Sequence, residues 1–217
     1  MTALNSLYKY HSLTAYSLAS LTNNTIWLAK PSSFNDPFDC AFFIDDRSEN
    51  METVNSCQVG TRDVIQNLGI CSFSEVPDNI LMWSHYANHH KGFCVEYDFS
   101  EGTHLRLHAR KVSYKDELPI LKPSDIKPNM EQDKIYSLWL EKAKCWSYEK
   151  EWRVIMGEGN KSCRALSAVI SVTFGARMPE SDRLMVSQAL KHESDIKFMQ
   201  ANLRDDRYEI EISDISF

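Results

Sequence analysis

The seven residues Phe93 to Phe99, FCVEYDF, constrain this chain more than any other stretch. Successive strand residues point to opposite faces, and here both faces carry bulky side chains. Such a strand needs cover on both sides, which predicts a central place in a sheet. Directly before it stands LMWSHYANHHKG, residues 81–92, where Trp83, His85, Tyr86, His89 and His90 fall close together. Pro77-Asp78 supplies a start signal, and the spacing predicts a helix over 79–89 with Ile80, Trp83 and Ala87 on its core side. His85 and His89, four residues apart, then share a polar flank, and Gly92 ends the helical region.

The flanking chain mixes strands and helices without a regular repeat. Leu7 to Leu13 alternates as a strand, Thr14 caps a brief helix, and Asn23-Asn24 turns the chain into a second strand, Thr25 to Ala29. KPSSFNDPFDC, residues 30–40, is stiffened by two prolines; it predicts an ordered loop that Phe34 and Phe38 anchor and that presents Asn35 and Asp36. The polar stretch Asp45 to Gly69 predicts a peripheral helix. Strands are expected over Ile70–Val76, Val112–Tyr114, Glu151–Met156, the AVISVTF run ending at Phe174, Ile196–Leu203 and Tyr208–Ile215. Helices are expected over Glu131–Lys144 and Pro179–Lys191, with a surface connection over 117–129. The βα units are too irregular for a doubly wound sheet. The expected fold is a single α+β domain spanning residues 1–217, with a mixed or mostly antiparallel sheet and flanking helices.

Composition excludes some classes of function. At 43% hydrophobic and 25% charged, 217 residues suffice for a substantial core. A net charge of −6 argues against a protein that coats duplex nucleic acid, although a local basic patch is compatible with it. The N-terminus lacks the basic start and apolar run of a secretory signal, and no stretch approaches the roughly 20 apolar residues of a membrane span. The reading is a cytoplasmic protein with no membrane partner. Six scattered cysteines without a CxxC pair suit reduced thiols, not a disulfide framework or a zinc site. No phosphate-binding Gly-rich loop and no GxSxG elbow is present.

Three constellations carry candidate chemistry. His85, with Tyr86, His89, His90 and Lys91, can donate, accept or titrate near neutral pH. A metal-binding reading fails for want of the carboxylate that an HExxH helix places after its first histidine, so no metal is expected. A structural, hydrogen-bonded histidine is the plain alternative. In WSYEKEWRV, residues 146–154, a strand starting by Glu149 puts Glu149, Glu151 and Arg153 on one face. Two carboxylates beside a guanidinium can polarise a ribose hydroxyl or stabilise a cationic transition state; the plain alternative is a surface salt-bridge ladder. Asn35 and Asp36 form the third constellation, with Asx-turn chemistry as its plain alternative.

The blocks LYKYHSL, IWLAKPSSFNDPFDC, SFSE, LMWSHYANHHKGFCVEYD, WSYEKEWRV and VTFGARM, in this order between residues 7 and 178, resemble the bacterial and phage family known as domain of unknown function 2971. More remotely, the chain resembles ADP-ribosyltransferase-like domains, which carry an aromatic or basic residue on a first strand and a glutamate on a late strand. That resemblance implies an ADP-ribosyltransferase-like fold and an NAD-dependent transferase or NAD-cleaving effector in toxin or phage-defence conflict, with NAD as substrate. Tyr8, Tyr10 or His11 then fills the first position and Glu149 or Glu151 the late acid. The resulting site has Glu149, Glu151 and His85 as catalytic groups, and Tyr8, Tyr10, His11, Asn35, Asp36, Tyr86 and Arg153 as ligand-binding groups. The expected partner is a nucleotide or small-molecule ligand, and whether the acceptor is a protein or a nucleic acid stays open. Two other classes remain open: a non-enzymatic module that binds a nucleotide or a protein, and a hydrolase or nuclease that uses His85 with Asp36.

Overall fold

The computed structural model describes residues 3–45, 67–122, 136, 138–193 and 195–217. In chain order its elements are β1 (Ser6–His11), α1 (Ala15–Thr22), β2 (Thr25–Leu28), β3 (Phe43–Ile44), β4 (Leu68–Ser74), α2 (Ile80–Tyr86), β5 (Phe93–Asp98) and α3 (His104–His108). They continue with β6 (Arg110–Lys111), β7 (Ser113–Lys115), β8 (Ile120–Leu121), β9 (Glu141–Ala143), β10 (Glu151–Glu158), β11 (Lys161–Arg164), β12 (Val169–Phe174), α4 (Glu180–Ala189), β13 (Lys197–Leu203) and β14 (Ile210–Asp214). Eight strands form one sheet in the order β14-β13-β12-β5-β1-β4-β10-β6. Among the described residues of this sheet only β12 and β13 pair in parallel, and the small pairs β3–β8 and β7–β9 are parallel too, so the fold is α+β with a mixed, mostly antiparallel main sheet.

The bulky strand takes the central place its residues demand. Phe93, Val95 and Tyr97 join a core with Leu21 of α1 and Val186 of α4. Cys94, on the opposite face, packs with Tyr10 and with Met82, Trp83 and Ala87 of the α2 region. Each fully buried large apolar side chain contributes about 1.5–3 kcal/mol relative to exposure, so this strand is a main source of stability. The α1 start follows its sequence signal. The Thr14 hydroxyl accepts from the Ser17 amide at 3.0 Å, and the Ser17 hydroxyl accepts from the Thr14 amide at 2.9 Å.

Three local expectations are corrected. The helix predicted to reach His89 stops at Tyr86, because Asn88, His89 and His90 adopt φ of 47°, 55° and 68°. His89 therefore does not share a helical flank with His85. The left-handed corner is closed by the Gly92 amide on the Ala87 carbonyl (2.8 Å), and Gly92 cannot carry a side chain, since a Cβ there would lie 2.0 Å from the His11 carbonyl oxygen. The helix predicted over 131–144 is helical at Leu138 to Leu140 but gives way to β9, which pairs with β7, and then to a 3-10 helix, Lys144–Glu149. Residues 131–135 lie outside the described residues, as do residues 46–66 of the predicted peripheral helix and 123–129 of the surface connection. Phe34 packs inward as an anchor, but Phe38 is 63% exposed and anchors nothing.

The sheet is opened beside its centre. β1 pairs with β5 from Ser6↔Asp98 to His11↔Phe93, yet meets β4 at the single register pair Tyr8↔Ser74. Past that pair, Lys9 crosses the gap to donate its Nζ to the Ser72 carbonyl at 3.0 Å. Further along β4, Ile70 pairs with Ala29, which follows β2. The opening between β1 and β4 positions the site.

Candidate functional site

A cavity of about 590 Å³ fills this opening. Tyr8 to Ser12 form one wall, Trp27, Ala29 and Ser72 to Ser74 the other, and α2 contributes Met82, His85 and Tyr86. Lys142, Glu149, Glu151 and Asp39 lie at its polar end. Of the residues singled out in the sequence, Tyr8, Tyr10, His11, Asn35, His85, Tyr86, Glu149 and Glu151 all line this one cavity. Asp36 lines a neighbouring cavity of about 400 Å³ beneath its own loop, and fully buried Arg153 stands behind the polar end.

The polar end is a buried ion network. Lys142 Nζ lies 2.5 Å from Glu149 Oε2, 3.2 Å from Glu151 Oε2 and 3.5 Å from Asp39 Oδ2. Arg153 donates Nε to Glu151 Oε1 (2.8 Å), Nη2 to Glu151 Oε2 (3.0 Å) and to Asp39 (2.8 Å), and Nη1 to the Trp139 carbonyl (2.7 Å). Three carboxylates thus face two cations, leaving one negative charge in excess. Removing one member of such a buried set typically costs about 3–5 kcal/mol, because a charge is stranded without a partner.

The two glutamates differ in what remains free. A carboxylate has roughly four acceptor positions. Glu151 meets Arg153 twice and Lys142 once, so three of its positions are used. Burial works against its charge, yet Arg153 and Lys142 outweigh burial and hold the carboxyl down at about 2. Glu149 accepts from Lys142 and from the Tyr86 hydroxyl at 2.6 Å, which leaves positions for a ligand. Burial raises its pKa above the usual carboxylate range; Lys142 opposes the rise and Glu151 adds to it. Burial and the neighbouring Glu149 keep Tyr86 a phenol, so it stays a donor.

The strand predicted from Glu149 begins instead at Glu151. Lys150 sits between the glutamates at φ 45°, ψ 53°, a left-handed corner. Alternation along a strand is therefore not what aligns them; the corner and their shared partner Lys142 are. Lys142, Asp39 and Ser72 are site members the sequence reading missed. Their signals were a lysine inside the aromatic and apolar run LWLEKAKCW, the last residue of the SFNDPFD block, and the small hydroxyls of SFSE.

The remaining candidates are placed as follows. Tyr8 donates to Glu96 at 3.4 Å, and burial, with Glu96, raises its pKa to about 12. The Tyr10 hydroxyl is committed to the Val76 carbonyl (2.7 Å) and its ring to Trp83. His11 stacks on Phe93, and burial, assisted by Lys9, lowers its pKa to about 3, so it is neutral near pH 7. Asn35 reaches the Tyr86 hydroxyl at 3.5 Å. Asp36 forms the expected Asx turn to the Phe38 amide (2.9 Å) and also accepts from Trp146 Nε1 (2.7 Å). His85 is exposed and meets the Trp146 ring edge-on. Among the described residues no group of three or more His, Cys, Asp or Glu is arranged to hold a metal ion, and no helix is long and apolar enough to cross a membrane.

This arrangement spans distant parts of the chain, and much of it falls in one recognisable segment. Residues 82–154 match the family model described as protein of unknown function (DUF2971). The matched segment runs from α2 into β10 and includes the WSHYANHHKGF and WSYEKEWRV blocks. It supplies His85, Tyr86, Lys142, Glu149, Glu151 and Arg153, while Asp39 and the β1 wall lie outside it. No curated protein and no solved structure matches the chain.

Proposed function

We propose that the cleft between β1 and β4 binds NAD and cleaves its nicotinamide–ribose bond, passing ADP-ribose to water or to an acceptor. The observation that carries this reading is the polar end of the cleft, where one uncompensated negative charge is held beneath aromatic walls. A nicotinamide ring is flat and cationic, and the sugar left behind develops oxocarbenium charge. Preorganised, buried carboxylates favour that charge as it forms. Tyr8, Trp27, Phe34 and Tyr86 offer ring faces or edges to the base.

The roles follow from the hydrogen-bond capacity of each group. Glu149 contacts the ribose, and Glu151, held by Arg153 and Lys142, positions Lys142 and through it Glu149. The bond between C1′ and the ring nitrogen breaks with its electron pair going to the nitrogen, so nicotinamide leaves neutral. The acceptor's oxygen or nitrogen bonds to C1′ and yields its proton to Glu149 or to solvent. By this reading the protein is a cytoplasmic enzyme whose acceptor enters past the exposed side of His85.

Chromatographic measurement of nicotinamide release from NAD tests the proposal. Wild-type protein is expected to release it, and Glu149→Gln to lower the rate at least a hundredfold, the scale set by loss of one electrostatic contact to a transition state. Equal release by the variant would overturn the assignment. Binding without release by the wild type would favour the non-enzymatic nucleotide-binding module instead.

A further inference from the structure

A second cavity, about 770 Å³, lies between α1, β2 and β5, and it shares Lys9, His11, Thr14 and Trp27 with the cleft. We infer that the two form one bipartite site, and that the α1–β2 cavity takes a nucleobase at the far end of the ligand whose other end rests on the carboxylates. The identity of that ligand as a dinucleotide rests on the NAD reading.

The lining suits a flat, amphipathic group. Tyr16 and Trp27 flank the cavity and are 89% and 47% exposed, large aromatic surfaces that the fold itself leaves uncovered. Val95 and Tyr97, both buried, supply an apolar base, and the hydroxyls of Ser20 and Ser162 lie at its edge. Ring faces stack any base, while hydroxyls meet the polar edge of one.

The shared wall fixes what joins the two ends. Lys9 lines both cavities, and its ammonium touches the Ser72 carbonyl and the Phe73 ring face. His11 beside it is neutral and stacked on Phe93. A cation at the junction, with carboxylates at one end only, matches a ligand with a cationic head, an anionic linker and a neutral base. A nucleoside pyrophosphate has that charge pattern.

Calorimetric titration of the full chain with AMP, nicotinamide mononucleotide and NAD tests this. Tyr16→Ala removes one stacking face, and Ser20→Phe fills the cavity from the α1 side; both residues line the second cavity alone. AMP is expected to bind the wild type, and each variant to weaken AMP and NAD about tenfold, the scale of one base–aromatic stack. Nicotinamide mononucleotide should bind all three proteins equally, and Tyr16→Phe should keep wild-type affinity for AMP. Failure of AMP to bind, unchanged AMP affinity in both variants, or equal losses for AMP and the mononucleotide would overturn the inference. If AMP binds with the expected dependence and the mononucleotide does not bind, the carboxylate reading fails alone and the nucleobase cavity stands.

Discussion

Lys142, with its side chain 5% exposed, touches all three carboxylates of the site. Burial works against its charge, but Glu151, Glu149 and Asp39 outweigh that and keep it protonated. Replacing it with methionine would leave three carboxylates with Arg153 alone. Lys142→Met is expected to lower stability by about 3–5 kcal/mol at pH 7 in urea titration. The deficit should shrink at lower pH, because the stranded carboxylates then take up protons. His11 and Glu151 give the wild type separate acid-sensitive windows, the first shared with His90, whose pKa burial also lowers. His11 has a folded pKa lowered to about 3, so the unfolded chain binds its proton first, and stability falls as pH drops from about 6.5 toward 3. Glu151 is depressed to about 2, so its contribution is full above about 4.3 and is lost as pH falls toward 2. His11→Phe should therefore flatten the loss between pH 7 and pH 5, where Glu151 stays charged; an unchanged slope there would contradict the assignment to His11. At this scale the sequence exposed residue types more readily than partners. Glu149, Glu151 and Arg153 stood out as a charged cluster between tryptophans. Lys142 and Asp39, which neutralise them, come from segments whose approach only the fold creates.

The element that sets the glutamates is the turn from the 3-10 helix Lys144–Glu149 into β10, with Lys150 left-handed at its apex. A non-glycine residue there costs about 1–2 kcal/mol. Lys150→Gly is expected to be neutral or to raise stability by about 1 kcal/mol with nicotinamide release retained, whereas Lys150→Pro, whose ring fixes φ near −65°, should disrupt both. Thermal unfolding and the release assay together check this; a glycine variant that folds but loses release would show that the corner does more than aim the carboxylates. Long apolar or alternating elements were legible: β5 from its bulky faces, β1 and β14 from alternation, α1 from its cap. The short ones were not. α2 ends in three successive left-handed residues held by the Trp83 and Ala87 carbonyls, and β9 interrupts a helical pattern by pairing with β7. The corner after α2 is closed by local carbonyls and tied to the chain after β12 by the Arg177 and Gly175 amides, while β9 depends on its distant partner β7, so neither follows from local preference alone.

Across the whole molecule, the decisive feature is the separation of β1 from β4 after one register pair. A sheet closed at that point would leave no cleft, and the ion network would be an ordinary buried salt bridge. Hydrophobic pattern identifies a strand and its faces, but it does not say where two paired strands part, which is why the α+β class was legible and the cleft was not. The opening gives the molecule a polar end with one excess negative charge, a central cation in Lys9 and an aromatic cavity beyond it. In the proposed function, this excess charge selects a cationic ring. Glu149, whose pKa burial raises, surrenders that selectivity as pH falls, before Glu151 takes up its proton. The most direct measurement is therefore a paired titration of the full chain with NAD and with its reduced form at pH 7.5, the two differing mainly in the charge of the nicotinamide ring. The cationic form is expected to bind at least tenfold more tightly, and Glu149→Gln to remove most of that difference; reduced dinucleotide binding equally well or better, or no binding of either at millimolar concentration, would rule out selection of a cationic ring by this charge.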